Sequence, residues 1–307
     1  MVVNMENDKK YEHLMNVMDE FTYDWNPEWA EDPTKPILKI TKSSLGQFGW
    51  CPTKYGFSYI QRLPIDQTEA MRKGTIIHNA REDFFNDFDI KKAENMTNEE
   101  VVNYCSTLFP IDEYYDTYLD MATFEAQRFI EAKEDGKLDE FLPVANEGKF
   151  DAEIIFRANT SKKFPLQRDY KIHLQGIIDR IFREGNSLIP MELKTGPWKE
   201  NSGKYTSMRK EMAFYKYLIE ACDDTVLIKN GIDPTWKVTH WSWYYPTSDF
   251  FYVEAVKKRT MTAVTDAIAK LLKAYEDSDF PAKYFYKSCS HCSFFGICEA
   301  AQEDSWL

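Results

Sequence analysis

Two apolar-rich runs flank Gly185-Asn186 within GIIDRIFREGNSLIPMELKTG, residues 176–196. A Gly-Asn pair in that setting predicts a β-hairpin with a two-residue loop of type II′. The loop length sets the register: Glu184 faces Ser187, and opposed residues have numbers summing to 371. Asp179 then faces Glu192, and Ile177 faces Lys194. Opposed residues, and residues two apart on one strand, point to the same side of a sheet. Asp179, Glu192 and Lys194 therefore share one face. Ile178, Phe182, Ile189, Met191 and Leu193 share the other, with Arg180 its one polar member, so that face is the predicted core side. Pro190 removes a ladder donor and predicts a bulge or an unpaired side.

The remaining pattern is mostly helical before this hairpin and mixed after it. ITKSSLGQFGWCPTKYGFSYIQRLP predicts a helix capped by Ser43 or Ser44, with Cys51 at a Cys-Pro step. In EAMRKGTIIHNAREDFF the residues Met71, Ile76, Ile77, Ala80, Phe84 and Phe85 follow helical spacing, and His78 and Glu82 share a helix face. Residues 86–148 are charged and helical, clearest in YYDTYLDMATFEAQRFIEAKE, and read as a helical subdomain inserted before the sheet. FDAEIIFRA predicts a strand. A helix follows over about 202–222, then strands in KVTHWSWYYP and DFFYVEAVKK, then a helix over about 257–276. Trp241, Trp243 and Tyr245 alternate onto one strand face, as core packing requires. Residues 1–36 read as an acidic appendage with one short helix near Tyr11–Phe21, and 37–307 as the main domain.

Composition narrows the class. The 307 residues are 43% hydrophobic and 15% aromatic, enough for a sizeable core. No apolar run approaches bilayer length and the N-terminus is no signal peptide, so a cytoplasmic protein is expected. The formal net charge of −12 argues against a sequence-blind coat on long duplex DNA. A local basic groove remains open to it, because distant charge is screened beyond roughly 10 Å.

The shared face is where chemistry is expected. Two carboxylates about 5 Å apart repel by roughly 3 kcal/mol at an effective dielectric near 20. A divalent cation between them removes that cost, and hard cations take carboxylate oxygens while leaving positions for water and phosphate. The competing account is a solvated strand face on which Lys194 neutralises both acids. A second cluster lies at Cys289-Ser-His-Cys292-Ser-Phe-Phe-Gly-Ile-Cys298, with spacing C-x2-C-x5-C. In a cytosolic chain this predicts a thiolate-bound metal rather than a disulfide, and Cys51 is the candidate fourth ligand. Zinc and iron–sulfur both suit four thiolates.

Gly-Ile-Ile-Asp179-Arg180 followed by Glu192-Leu-Lys194-Thr-Gly resembles the core of the PD-(D/E)xK nuclease superfamily. The closer resemblance is to its RecB-type branch, with motifs G-x-x-D-R and (D/E)-x-K-T-G. The resemblance implies an α/β, restriction-endonuclease-like fold: a mixed central sheet flanked by helices, with a helical insertion. It implies magnesium or manganese held by Asp179, Glu192, His78 and the backbone carbonyl of Leu193, with Lys194 serving the attacking water. His78 matches through Gly-Thr-Ile-Ile-His, Glu82 is the candidate to orient its ring, and Glu153 falls at the acidic position ahead of the metal site. The branch's Gln-x-x-x-Tyr motif falls on Glu211 and Tyr215. Tyr215 fits and Glu211 departs. Tyr215, with Lys204, Arg209 and Lys210 on the same helix, gives the expected nucleic-acid contacts. Cys51 and the Cys triplet resemble the iron–sulfur members, including the CRISPR-associated exonuclease family and AddB-type nuclease domains. They imply a [4Fe–4S] clamp on Cys51, Cys289, Cys292 and Cys298 that joins the N- and C-terminal segments. The implied activity is a metal-dependent DNA exonuclease on single-stranded ends, with a helicase or another DNA-processing protein as partner. The alternative is a catalytically weak, nuclease-like DNA-binding subunit of a repair, replication or CRISPR-type complex.

Overall fold

The computed structural model describes residues 37–65 and 67–303. The acidic segment 1–36, with the helix expected near Tyr11–Phe21, lies outside the described residues. In chain order the elements are β1 (Lys39–Thr41), α1 (Lys42–Trp50), α2 (Pro52–Tyr55), α3 (Glu69–Asp87), α4 (Ile90–Ala93), α5 (Asn98–Thr107) and α6 (Tyr115–Glu134). Then come β2 (Ala145–Phe156), β3 (Tyr170–Glu184), β4 (Ser187–Leu193), α7 (Ser202–Ala221), α8 (Asp224–Lys229), β5 (Lys237–Val238), β6 (His240–Tyr245) and β7 (Phe250–Ala255). The chain closes with α9 (Lys258–Asp277), α10 (Tyr286–Cys289) and α11 (Glu299–Glu303). Two compact units form. One holds the described parts of 1–66, 153–175 and 262–307; the other holds 67–152 and 176–261. None of the described helices is long and apolar enough to cross a membrane.

In the first unit β1 runs parallel to the beginning of β3, with Ile40 opposite Leu174. Helix α1 is capped by Thr41 rather than by Ser43 or Ser44. Thr41 Oγ1 accepts from the Ser44 amide at 3.1 Å and Ser44 Oγ accepts from the Thr41 amide at 2.9 Å. This reciprocal pair is a capping box. The helix stops at Cys51, which is extended (φ −154°, ψ 113°). The residue before a proline is pushed out of the helical region. Pro52 then opens α2, where its missing N–H is not needed. Phe48, Tyr55, Tyr275 and Phe280 pack ring on ring beneath this break.

In the second unit the β3–β4 hairpin has the expected register, from Glu184 opposite Ser187 to Arg180 opposite Met191. Gly185 has φ +55° and Asn186 does not share the positive sign, the pattern of a type II′ turn. Pro190 sits opposite Ile181 with no shift in the ladder, so of the two expectations, a bulge or an unpaired side, the bulge is not met. Beyond it β4 lies parallel to β6, which pairs antiparallel with β7. The sheet is therefore mixed, with β2 on β3 and β5 on β4.

Whether helices cover one face of the hairpin or both decides between the two accounts of the acidic face. Phe182, Met191 and Leu193 meet Ile77, Phe84 and Phe85 of α3 and Met121 and Phe129 of α6 in one apolar core, as expected of their side. The acidic side is covered too, because α7 lies over it. A Cβ at Gly176 would meet Leu218 of α7 at 3.1 Å. Asp179 is 8% and Glu192 4% exposed, so the solvated-face account fails. Trp241 and Trp243 are fully buried, as core residues should be. The helices expected over 86–148 as an inserted subdomain fall in this unit with the hairpin.

Candidate metal centre

Three elements bring the acidic cluster together. The hairpin supplies Asp179, Glu192 and Lys194. Helix α3 supplies His78, whose Nδ1 lies 3.6 Å from Asp179 Oδ2 and 3.7 Å from Glu147 Oε1. Strand β2 supplies Glu147. Ligand atoms of His78, Glu147 and Asp179 lie within 4.8 Å of one another, the spacing of donors around a single cation. The backbone also fixes Asp179: its Oδ2 accepts from the Leu193 amide at 2.8 Å. That bond holds Leu193, the residue expected to offer its carbonyl, to the aspartate across the hairpin.

Glu147 is the residue that sequence reasoning missed. FDAEIIFRA starts its strand at Phe150, whereas β2 starts at Ala145. Asn-Glu-Gly reads as a turn, and locally it behaves like one, since Glu147 has φ +49°. A left-handed glutamate inside a strand is strained, and such residues cluster at functional sites. Gly148 permits the kink, because a Cβ there would lie 2.8 Å from the Phe150 ring. Glu153, placed by resemblance ahead of the metal site, instead pairs with Lys171 at 2.6 Å in the other unit. The acidic position beside Asp179 is Glu147. Glu82 contributes its carbonyl to Asn146 Nδ2 at 3.0 Å, while the His78 ring faces Glu147 and Asp179.

Charge in this cluster is partly compensated. Arg180, fully buried on the opposite face, reaches Glu147 Oε1 at 2.9 Å. Burial raises the Glu147 pKa, but His78 and Arg180 outweigh it and hold the carboxyl below its ordinary value. Burial disfavours a charged His78, yet the neighbouring Glu147, Asp179 and Glu192 carboxylates win and raise it. Proton and cation thus compete for one set of donors, as is general for histidine–carboxylate sites.

Lys194 and α7 complete the arrangement. Lys194 Nζ lies 2.8 Å from Glu192 Oε1 and 2.8 Å from Glu211 Oε2. Burial lowers the pKa of this lysine, but the two carboxylates reverse the effect and keep it well above its usual range. Tyr215 donates its hydroxyl to Glu192 Oε2 at 2.8 Å and is 1% exposed. Glu211 and Tyr215, one helical turn apart, therefore hold the hairpin side chains from above. Arg209 forms a two-toothed pair with Glu254, at 2.6 and 2.8 Å. Lys204 lies over the Trp198 and Tyr245 rings at 4.6 and 4.5 Å, and Lys210 is exposed.

The thiols gather in the first unit. Cys51, Cys289, Cys292 and Cys298 line one pocket walled by Trp50, Phe57, Phe295 and Ala301, with Lys54 at its side. None is in a disulfide. Burial raises the Cys292 pKa, Lys54 opposes this, and Cys298 and Cys51 are close enough to add to it. Four thiols in one apolar-walled pocket suit a thiolate-bound group. Cys105 is fully buried and Cys222 donates to the Asp151 carbonyl, so neither joins them.

A mixed sheet and a flanking helix that bring His78, Glu147 and Asp179 together give a donor set suited to a divalent cation. The chain matches the family model described as the PD-(D/E)XK nuclease superfamily over residues 39–299, and it belongs to that superfamily, whose members are usually metal-dependent nucleases. A solved structure described as "Crystal structure of SSO0001" is similar at 14% identity, covering 75% of this chain and 97% of its own, with a TM-score of 0.32. No curated protein matches the chain.

Proposed function

We propose that the chain is a metal-dependent deoxyribonuclease that hydrolyses phosphodiester bonds at single-stranded ends and carries a structural iron–sulfur cluster. The observation that supports this most is the meeting of His78, Glu147 and Asp179 within 4.8 Å, with Lys194-bound Glu192 close enough to act on the His78 charge. Magnesium or manganese would be held by His78, Glu147, Asp179, Glu192 and the Leu193 carbonyl. When bound, the ion polarises the phosphate and acidifies a water molecule. Lys194 offsets charge developing on the phosphoryl oxygens and orients the nucleophile, a preorganised role that costs no rearrangement during reaction. Tyr215 fixes the Glu192 rotamer, and Glu211 fixes Lys194. Lys210 and Lys204 lie on the same helix to meet the strand's phosphates, and Arg209 serves there through its Glu254-bound guanidinium.

Lys194→Ala should digest end-labelled single strands in manganese about a hundredfold more slowly, or worse, while still binding them. Parent-like digestion by that variant ends the nuclease reading. Cys51, Cys289, Cys292 and Cys298 would carry the cluster, with a structural role because all four lie outside the unit that holds the acidic site. Anaerobically purified protein should be brown, with about four irons per chain. A folded, colourless, iron-free sample would remove the cluster from the proposal.

A further inference from the structure

The loop after Lys194 carries an aromatic group that the chemistry above does not use. Trp198 stacks on Phe250 of β7, with centroids 4.1 Å apart and planes within 6°. Tyr205 of α7 meets its edge at 5.1 Å, as does Tyr245. The stack continues through Phe250 to Tyr252, 6.2 Å away and nearly parallel. Trp198, Tyr205, Phe250 and Tyr252 are all half-buried, unlike Trp241 and Trp243, so this group still has ring surface facing water.

The platform is fixed in place. The Trp198 amide donates to Ser248 Oγ at 2.9 Å, and Thr247 Oγ1 donates to the Gly196 carbonyl at 3.4 Å. Both bonds pin the loop to the β6–β7 connection. A cation is already seated on the indole: Lys204 Nζ lies 4.6 Å from its centre and 4.5 Å from that of Tyr245. Lys204 is also near enough to Lys194 to feel its charge. Thus a half-exposed aromatic surface begins four residues beyond the proposed catalytic lysine, with an ammonium over it that also donates to the Pro197 carbonyl at 3.3 Å. Unpaired bases stack on such surfaces whatever their identity, and duplexed bases offer no free π-face for it.

We propose that Trp198, backed by Phe250 and Tyr205, is the stacking platform for an unpaired base beside the cleaved phosphodiester, with Lys204 leaving the indole for that nucleotide's phosphate. This rests on the nuclease reading. It places selectivity for single strands in the loop 195–201 and β7 rather than in the acidic cluster.

The test compares a short labelled thymidine strand with the same strand made abasic, which keeps the phosphates and loses the bases. Anisotropy in calcium reads binding. The parent should prefer the thymidine strand by about tenfold. Trp198→Ala should bind both strands alike, and Trp198→Phe should keep most of the preference. Phe250→Leu should weaken it and serves as the readout if Trp198→Ala does not fold. A folded Trp198→Ala that retains the parent's preference overturns the platform. So does a parent that digests DNA yet binds both strands equally, and that result leaves the nuclease reading standing. A parent that neither binds nor digests any strand overturns both.

Discussion

At the scale of single residues, the most informative departure is Glu211. The RecB-type pattern has a glutamine there, and an added anion beside a phosphate site is unfavourable by itself. The structure gives it a partner: Lys194 sits between Glu211 and Glu192, 2.8 Å from each. One ammonium cannot fully neutralise two carboxylates, so some negative potential remains around Lys194, which on the proposed reading is where the substrate enters. Glu211→Gln keeps a hydrogen-bond acceptor on Lys194 and removes one charge. It should lower KM for single-stranded DNA by roughly two- to fivefold, the worth of one screened charge. Initial rates at saturating manganese measure this. An unchanged or higher KM would show that Glu211 does not face the substrate. Glu147 makes the same point in reverse. Its left-handed backbone is unfavourable alone, and the contacts to Arg180 and His78 hold it in place.

At the scale of elements, His78 is only as well placed as α3. That helix is tied to α6 by a buried charged group one turn beyond the histidine. Arg81 and Glu125 are both fully buried and paired, and Arg128 closes on the other oxygen of Glu125. Burial raises the Glu125 pKa, but Arg128 and Arg81 overcome it and hold the carboxyl below its ordinary value. Arg81 also lies over the Tyr244 ring at 4.9 Å, so the tie reaches β6. Removing one member of such a group leaves a buried charge without compensation. Glu125→Leu should cost about 3–5 kcal/mol in a urea melt. A loss below about 1 kcal/mol would mean that Arg81 finds another partner.

At the scale of the whole molecule, the two kinds of chemistry fall in different compact units: the acidic site lies in 67–152 and 176–261, the thiol pocket in the other. If the thiols hold a cluster, its removal acts first on the unit it staples. Chelation under air should raise amide exchange in 42–60 and 286–301 while 178–193 keeps its protection, because local stability follows local contacts. Hydrogen exchange with mass spectrometry reads both segments at once. Equal loss of protection in both would show that the cluster supports the entire fold.

What could be read from the chain alone was whatever neighbouring residues enforce by themselves. Gly185-Asn186 makes a turn of one hand, the turn sets the register, and the register puts Asp179, Glu192 and Lys194 on one face. The same holds for the helices of α3, α7 and α9, whose periodicity is local. The cover over the acidic face was not legible, because nothing in β3 or β4 says which helix will lie on them. Neither was Glu147, whose turn-like backbone disguised it as a strand boundary, nor the seating of Lys194 between carboxylates nineteen residues apart. These depend on long-range packing, which fixes burial and hence the strength of each charge. Local chemistry thus put Asp179, Glu192 and Lys194 on one strand face, while packing across the fold shut that face away from water and brought Glu147, His78 and Glu211 to it.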